Sequence, residues 1–265
     1  MLEKIVFIKN DDFFIPGVYT YPDVKGKYPA VLLLHGVLSS KSGDGFMLPK
    51  IAESLAENNI ASLRIDFCSC GESIRSRKDY HILTLCDEAR TAYLDMQKNE
   101  LIDPNKIAIL GHSYGGVIVN KIADINPKCL ISLNGAMLDG IDNNYLQVKG
   151  EFIKDKNGDS YRFSRQSDGR IELMYEDFFL MHKKYNNNYP KYEGNVLMCV
   201  ATNDPTVRPE SNYQFFNSLE NKNKELIVIE KANHTFNAKT LDYTKLNELM
   251  DKVNKWLDIN LKWNI

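Results

Sequence analysis

The sequence predicts an α/β protein, a largely parallel sheet flanked by helices on both faces, and three observations carry that prediction. Short, continuous apolar runs recur along the chain: PAVLLLHG at 29–36, KIAILG at 106–111, CLISLN at 129–134 and VLMCVA at 196–201. A strand of that kind is covered on both faces, whereas a half-buried strand alternates apolar and polar residues. Segments with helical spacing lie between the runs, and glycine or a polar turn closes most of the strands. That is the rhythm of strand–helix–strand units.

Taken in order, the first elements are strands at Glu3 to Lys9 and Phe13 to Tyr21, and Pro16 and Gly17 mark the second as an edge strand or a bulge. After the strand at 29–36, a helix at Leu48 to Asn58 has apolar positions at Ile51, Leu55 and Ala56, and Ala61 to Phe67 returns as a strand. Thr84 to Asn99 is helical, 106–111 is a buried strand, and Val117 to Asp124 continues as helix into the strand at 129–134. The strand at 196–201, a helix at Glu210 to Leu219, the strand ELIVIE at 225–230 and a helix from Asp242 to Ile259 complete the pattern.

The stretch from 138 to 190 breaks it. Turn signals at Asn157-Gly158 and Asp168-Gly169 are flanked by SYRFS and RIELMY, which predicts two hairpins, followed by a short helix at Glu176 to Lys184. The chain therefore divides into a single core domain, 1–137 with 191–265, and an inserted cap or lid at 138–190. Its apolar and aromatic residues (Phe152, Phe163, Tyr175, Phe178, Phe179 and Tyr185) either line an acyl pocket or form a small core of their own. Trp256 and Trp263 are expected to pack or to mark a partner contact.

Bulk properties exclude several classes. The 265 residues are 43% hydrophobic and 26% charged, ordinary for a globular protein, and a net charge of −2 argues against a nucleic-acid partner. The N-terminal MLEKIVFIKN has neither the charge pattern nor the apolar length of a signal peptide or anchor, and no run is long enough to span a membrane. Five cysteines, Cys68, Cys70, Cys86, Cys129 and Cys199, lie mostly in apolar segments and read as reduced thiols of a cytoplasmic protein. Cys68 and Cys70 lack a second pair at zinc-ligand spacing. No cofactor and no metal is implied.

The chemistry-bearing segment is Gly111-His112-Ser113-Tyr114-Gly115. A G-x-S-x-G match is modest alone, but this one follows a buried strand and opens a helix, where it makes a turn sharp enough to project the serine hydroxyl above the sheet. Glycines on either side remove side chains that would collide with the strand and helix. A serine hydroxyl needs a base, and this architecture orders serine, acid, histidine. Of the five histidines, His35, His81, His112, His182 and His234, only His182 and His234 follow the serine. His182 lies in the 138–190 excursion, where no sheet strand aims it. His234 lies just past ELIVIE, at the strand end where open α/β sites gather their residues. Asp204 follows VLMCVA in the same way and is the acid expected to orient the base. The backbone N–H of Tyr114 is one expected oxyanion donor, and Val37 in His35-Gly36-Val37-Leu38 is the other.

These segments, with R-I-D-F at 64–67, GHSYGG at 111–116, N-D-P-T-V at 203–207 and A-N-H-T-F at 232–236, resemble small bacterial α/β-hydrolase esterases of the cinnamoyl/feruloyl-esterase group. The resemblance implies an eight-stranded sheet with a small cap inserted after the sixth strand, hydrolysis of carboxylic esters, a triad of Ser113, Asp204 and His234, and oxyanion donors Val37 and Tyr114. The chain departs from the pattern at Ser69, Ala201 and Lys231, where glycines are usual, and at Tyr114, where glutamine is common. The expected activity is thus a serine carboxylesterase for small or medium acyl groups, working through an acyl-enzyme. A thioesterase, monoacylglycerol lipase or small serine peptidase would use the same machinery, and a non-catalytic binding module is the reading from another class. The expected partner is a small-molecule ester, with no nucleic acid and no membrane span, and a homodimer is left open.

Overall fold

The computed structural model describes residues 1–138, 152–165, 171–186 and 188–262. Eight strands form one sheet in the order β1-β2-β4-β3-β5-β6-β10-β11. They are β1 (Leu2–Asn10), β2 (Phe13–Tyr21), β3 (Tyr28–Leu34), β4 (Ala61–Ile65), β5 (Ile102–His112), β6 (Cys129–Leu133), β10 (Asn195–Ala201) and β11 (Lys224–Ile229). β1 and β2 run antiparallel to their neighbours and the rest pair in parallel.

The apolar runs are buried on both faces, as their composition requires. In β3 the side chains alternate between two cores: Ala30, Leu32 and Leu34 enter one, Val31 and Leu33 the other. The first core is covered by α2 (Ile82–Lys98), α3 (Tyr114–Lys121) and α5 (Pro209–Ser218), the second by α1 (Met47–Glu57) and α6 (Thr244–Leu257). Each fully buried Leu or Ile contributes about 1.5–3 kcal/mol relative to exposure, so a charge at Leu32 or Leu33 would break one face of the sheet. Trp256 packs into the second core and donates from Nε1 to Glu225 Oε1 at 2.8 Å. Trp263 lies outside the described residues.

β2 corrects the reading of Pro16. The strand lies between β1 and β4 rather than at the sheet edge, which belongs to β1. Pairing of β2 with β4 runs from Gly17 to Thr20, so the missing N–H of Pro16 falls just past the ladder, while its carbonyl accepts from Asp66 N–H at 2.8 Å. The proline is tolerated inside the sheet because the neighbouring strand ends beside it.

Between β6 and β10 lies a second, three-stranded antiparallel sheet, β7 (Ile153–Lys154), β8 (Ser160–Arg165) and β9 (Ile171–Tyr175), followed by α4 (Glu176–Tyr185). The Asn157-Gly158 hairpin is present, with Gly158 at φ 86. The Asp168-Gly169 turn lies outside the described residues. Ion pairs Arg77–Glu172 at 3.3 Å and Lys78–Asp159 at 2.7 Å tie this sheet to the segment before α2. The aromatic residues of the insertion divide. Phe178 enters the first core, Phe152 and Phe179 pack edge to face with the Arg162 guanidinium over both rings, and Phe163 is exposed. Among the described residues no helix is long and apolar enough to cross a membrane.

Candidate active site

All the candidate residues come from loops at the carboxyl ends of parallel strands, where an open α/β sheet exposes its loops. Ser113 forms the junction of β5 and α3 at φ 55, ψ −118, a conformation a non-glycine residue holds only when its surroundings over-determine it. Three backbone bonds hold it. Its N–H donates to Leu133 O at 2.9 Å, and its carbonyl accepts from Gly116 N–H at 3.0 Å and Ala136 N–H at 3.2 Å. The flanking glycines are sterically required: a Cβ on Gly111 would strike the Gly115 carbonyl, and one on Gly115 would strike the Leu34 backbone. Gly36 approaches from the loop after β3, and a Cβ there would lie 3.1 Å from Ser113 Cβ.

His234 and Asp204 meet, with His234 Nδ1 2.7 Å from Asp204 Oδ2. The carboxylate side chain is fully buried. Its other oxygen, Oδ1, accepts the N–H groups of Thr206 at 2.7 Å and Val207 at 2.9 Å, so the aspartate builds its own Asx turn and still faces the imidazole. With Nδ1 carrying the proton toward the carboxylate, Nε2 of His234 is left as the acceptor. Asn233 shapes the turn that presents the histidine. Its Oδ1 accepts from Thr235 N–H at 3.1 Å and Asn237 N–H at 2.8 Å.

Two residues that the motifs did not single out fix the His234 backbone. Its carbonyl lies 2.8 Å from His112 Nε2 and accepts from Asn134 Nδ2 at 2.9 Å. Asn134 also takes the Ala201 N–H at 2.8 Å, which locks the end of β10 beside the end of β6. The His112 and His234 rings are 4.7 Å apart. Burial, then the neighbouring His234, lowers the His112 pKa to about 3, so His112 stays neutral and donates from Nε2.

The loop carrying Val37 is held by His35. Nδ1 of His35 donates to Gly36 O at 2.7 Å, and its Nε2 accepts the Phe67 N–H at 3.1 Å. Burial lowers its pKa to about 4. A peptide is planar and trans, so fixing the Gly36 carbonyl fixes the direction of the Val37 N–H. The fully buried Asp66 accepts from Lys41 N–H at 2.7 Å and Glu72 N–H at 3.0 Å and pairs with the Lys41 ammonium, stapling the loops after β3 and β4 together. A cavity of about 610 Å³ opens beside these loops, lined by Leu38, Ser39, Cys70, Gly71, Arg77 and Glu172 among others. A second cavity of about 780 Å³, touching Asn120, Leu130, Tyr192 and Asn223, includes none of the candidate residues.

His182, set aside as a base for want of a strand to aim it, is buried on α4 with Nδ1 3.1 Å from Tyr114 Oη. Burial lowers its pKa to about 4, with the Lys121 ammonium adding to the effect. No motif signalled this pair, because it depends on how α4 docks.

The model for the "alpha/beta hydrolase fold" family matches residues 29–172, more than half of the chain. Among solved structures, Est1E from Butyrivibrio proteoclasticus with ferulic acid bound superposes with a TM-score of 0.79 at 19% identity, covering 97% of this chain and 100% of that one. The α/β hydrolase GrgF from Penicillium sp. sh18 gives 0.76 at 15% identity, covering 99% and 100%. XC6422 from Xanthomonas campestris, described as an α/β serine hydrolase without lid, gives 0.66 at 17% identity, covering 99% and 97%. No curated protein sequence matches the chain. At these identities the structural likeness speaks for the fold, and it agrees with the family match and with the strand order: the chain belongs to the α/β-hydrolase fold family.

Proposed function

We propose that the protein is a serine hydrolase that cleaves carboxylic esters of small or medium acyl groups. The observation that carries the reading is the bonded Asp204–His234 pair, 2.7 Å apart, held through the His234 carbonyl to the residue that precedes Ser113. A strained serine on a strand-to-helix turn, next in sequence to the residue that holds a histidine whose Nδ1 is committed to a buried carboxylate, suits general-base activation of a hydroxyl.

In this mechanism Ser113 Oγ attacks the ester carbonyl while His234 Nε2 takes its proton. Asp204 stabilises the imidazolium and holds its tautomer. The carbonyl oxygen becomes an oxyanion and receives the N–H groups of Val37 and Tyr114, backbone donors that need no reorganisation when charge develops. Collapse breaks the C–O bond, and the leaving alkoxide takes the proton from His234. Water, deprotonated by the same imidazole, then hydrolyses the acyl-enzyme and frees Ser113. The 138–190 insertion acts as the cap. Its α4 packs Phe178 against Tyr80 and Tyr114, which supports a role in shaping the acyl side of the site. The ester class is favoured by the esterase-group motifs and by the Est1E likeness.

The test is hydrolysis of p-nitrophenyl esters from acetate upward by wild type and Ser113→Ala. Turnover by wild type with a loss of about 10⁴-fold or more in the variant is expected for a serine-triad nucleophile. Equal activity removes Ser113 from the mechanism. An inactive wild type turns the substrate class toward thioesters or peptides, and failure to react with a fluorophosphonate probe would leave a binding module.

A further inference from the structure

Val37 sits between two peptide planes, and each is gripped from a different part of the fold. The Gly36 carbonyl is held by His35 Nδ1 at 2.7 Å and by Ser39 N–H at 3.3 Å. The Leu38 N–H donates to the buried hydroxyl of Tyr80 at 2.9 Å. Leu38 has φ 50, left-handed backbone that a branched residue rarely adopts. Such a conformation persists only while its surroundings hold it. The Tyr80 bond is a hold of that kind, since turning the Val37–Leu38 peptide over would relieve Leu38 and lose the hydroxyl.

Tyr80 is in turn backed by the insertion. Its ring lies 5.6 Å from that of Phe178 on α4, and Phe178 lies 5.5 Å from the ring of Tyr114. Phe178 is 1% exposed. One phenyl group of the inserted helix therefore touches both the tyrosine that fixes the turn after Val37 and the residue that carries the second backbone donor. His182, one turn further along α4, bonds the Tyr114 hydroxyl at 3.1 Å.

We propose that Tyr80 is a positioning residue for the oxyanion hole, kept in place by Phe178, so that docking of the inserted helix sets the rate of the chemical step. The inference rests on the serine-hydrolase reading above and adds to it the residues that aim the Val37 donor. Without the hydroxyl the Val37–Leu38 peptide turns over and the loop shifts with it, so the Val37 N–H, whose direction His35 still sets through the Gly36 carbonyl, is displaced from the position where the oxyanion forms, while ground-state binding of the ester is little changed.

The experiment compares wild type, Tyr80→Phe, Phe178→Ala, Phe178→Leu and a Ser113→Ala control on a p-nitrophenyl ester. It also measures inhibition by a trifluoromethyl ketone, whose adduct with serine places an oxyanion in the hole. Tyr80→Phe keeps the ring and its packing and is expected to lower kcat by about tenfold to a hundredfold, short of the 10²–10³ for outright loss of a donor. KM should stay within about threefold, and the ketone should weaken in proportion to kcat. Phe178→Ala should show the same split and Phe178→Leu should recover most of it. A Tyr80→Phe enzyme with kcat within about twofold of wild type overturns the proposal, as does a fall in kcat with unchanged ketone affinity. If Ser113→Ala is as active as wild type, the serine reading fails and takes this inference with it. If Ser113→Ala is dead and Tyr80→Phe is unaffected, only the inference fails.

Discussion

Nε2 of His112 lies 2.8 Å from the backbone carbonyl of His234. The residue before the candidate nucleophile thus holds the candidate base by its main chain, leaving the imidazole of His234 to face Asp204. Burial lowers the His112 pKa to about 3, so the ring is neutral over the working pH range with its proton on Nε2, and protonation at Nδ1 would leave that donor in place.

Replacing that ring tests the anchor. In His112→Ala the His234 carbonyl keeps, among the described residues, its Asn134 bond at 2.9 Å. A single hydrogen bond contributes about 0.5–1.5 kcal/mol net, but displacing a base by a fraction of an ångström costs more in rate than in stability. The expected result is a kcat about tenfold lower on a p-nitrophenyl ester, with partial recovery in His112→Gln, whose amide can donate to the same carbonyl. An Ala variant with unchanged kcat would show that Asn134 suffices.

Two departures from the family pattern have a backbone meaning. Ser69 and Lys231 stand where glycines are usual, and both adopt positive φ, 56 and 59. Lys231 is exposed, and its N–H donates to Thr202 Oγ1 at 2.8 Å, so the turn is kept by the main chain rather than by the lysine side chain. A non-glycine residue loses about 1–2 kcal/mol in left-handed backbone, and glycine returns roughly half of that through the unfolded chain's entropy. Lys231→Gly should therefore stabilise the protein by about 0.5–1 kcal/mol. A urea midpoint moving upward with unchanged slope is the expected observation, and a downward shift would mean the lysine chain contributes contacts of its own.

The sheet was legible because its strands announce themselves. Four short apolar runs, each closed or followed by glycine or a polar residue, read as strands buried on both faces, and β3, β5, β6 and β10 are adjacent interior strands of the sheet. Pro16 was misread because its tolerance depends on where β4 stops, a fact carried by residues some fifty positions away. Asp204 is read from the sequence as the acid, and it is a turn residue as well. The structure gives each oxygen one of those geometries, Oδ1 to the turn and Oδ2 to His234. The supports were the illegible part. His112, Asn134, Tyr80 and His182 are single polar residues at strand ends, loops and a helix face, and their partners are set by tertiary docking that no local period records. His182 shows the limit best: it lies on no sheet-strand loop, yet α4 carries it to Tyr114.

The buried histidines predict the pH dependence of stability. Burial lowers the pKa of His35 to about 4, of His112 to about 3 and of His182 to about 4, against an ordinary value of 6.5. In the unfolded chain each takes a proton near pH 6.5, while in the folded protein each stays neutral well below that. Their contribution is therefore fully present above about pH 6.5 and is lost as pH falls toward 4. Glu88 acts in the opposite sense. Burial pushes its pKa up to about 7 from 4.5, against the Cys68 N–H and Arg75 that lower it, so its contribution is lost as pH rises from about 4.5 to 7. Between those values the unfolded chain binds up to three histidine protons more and one carboxyl proton fewer, a net uptake of about two. The slope is then at most on the order of 2–3 kcal/mol per pH unit, with stability falling on acidification. Melting temperatures at pH 7.5, 6.5 and 5 should decline in that order, and His182→Gln, which can still bond Tyr114 Oη but cannot titrate, should flatten the decline by about one proton. A melting temperature that holds or rises toward pH 5 would mean that these imidazoles are charged in the fold, and the neutral donor assigned to His112 would have to be given up.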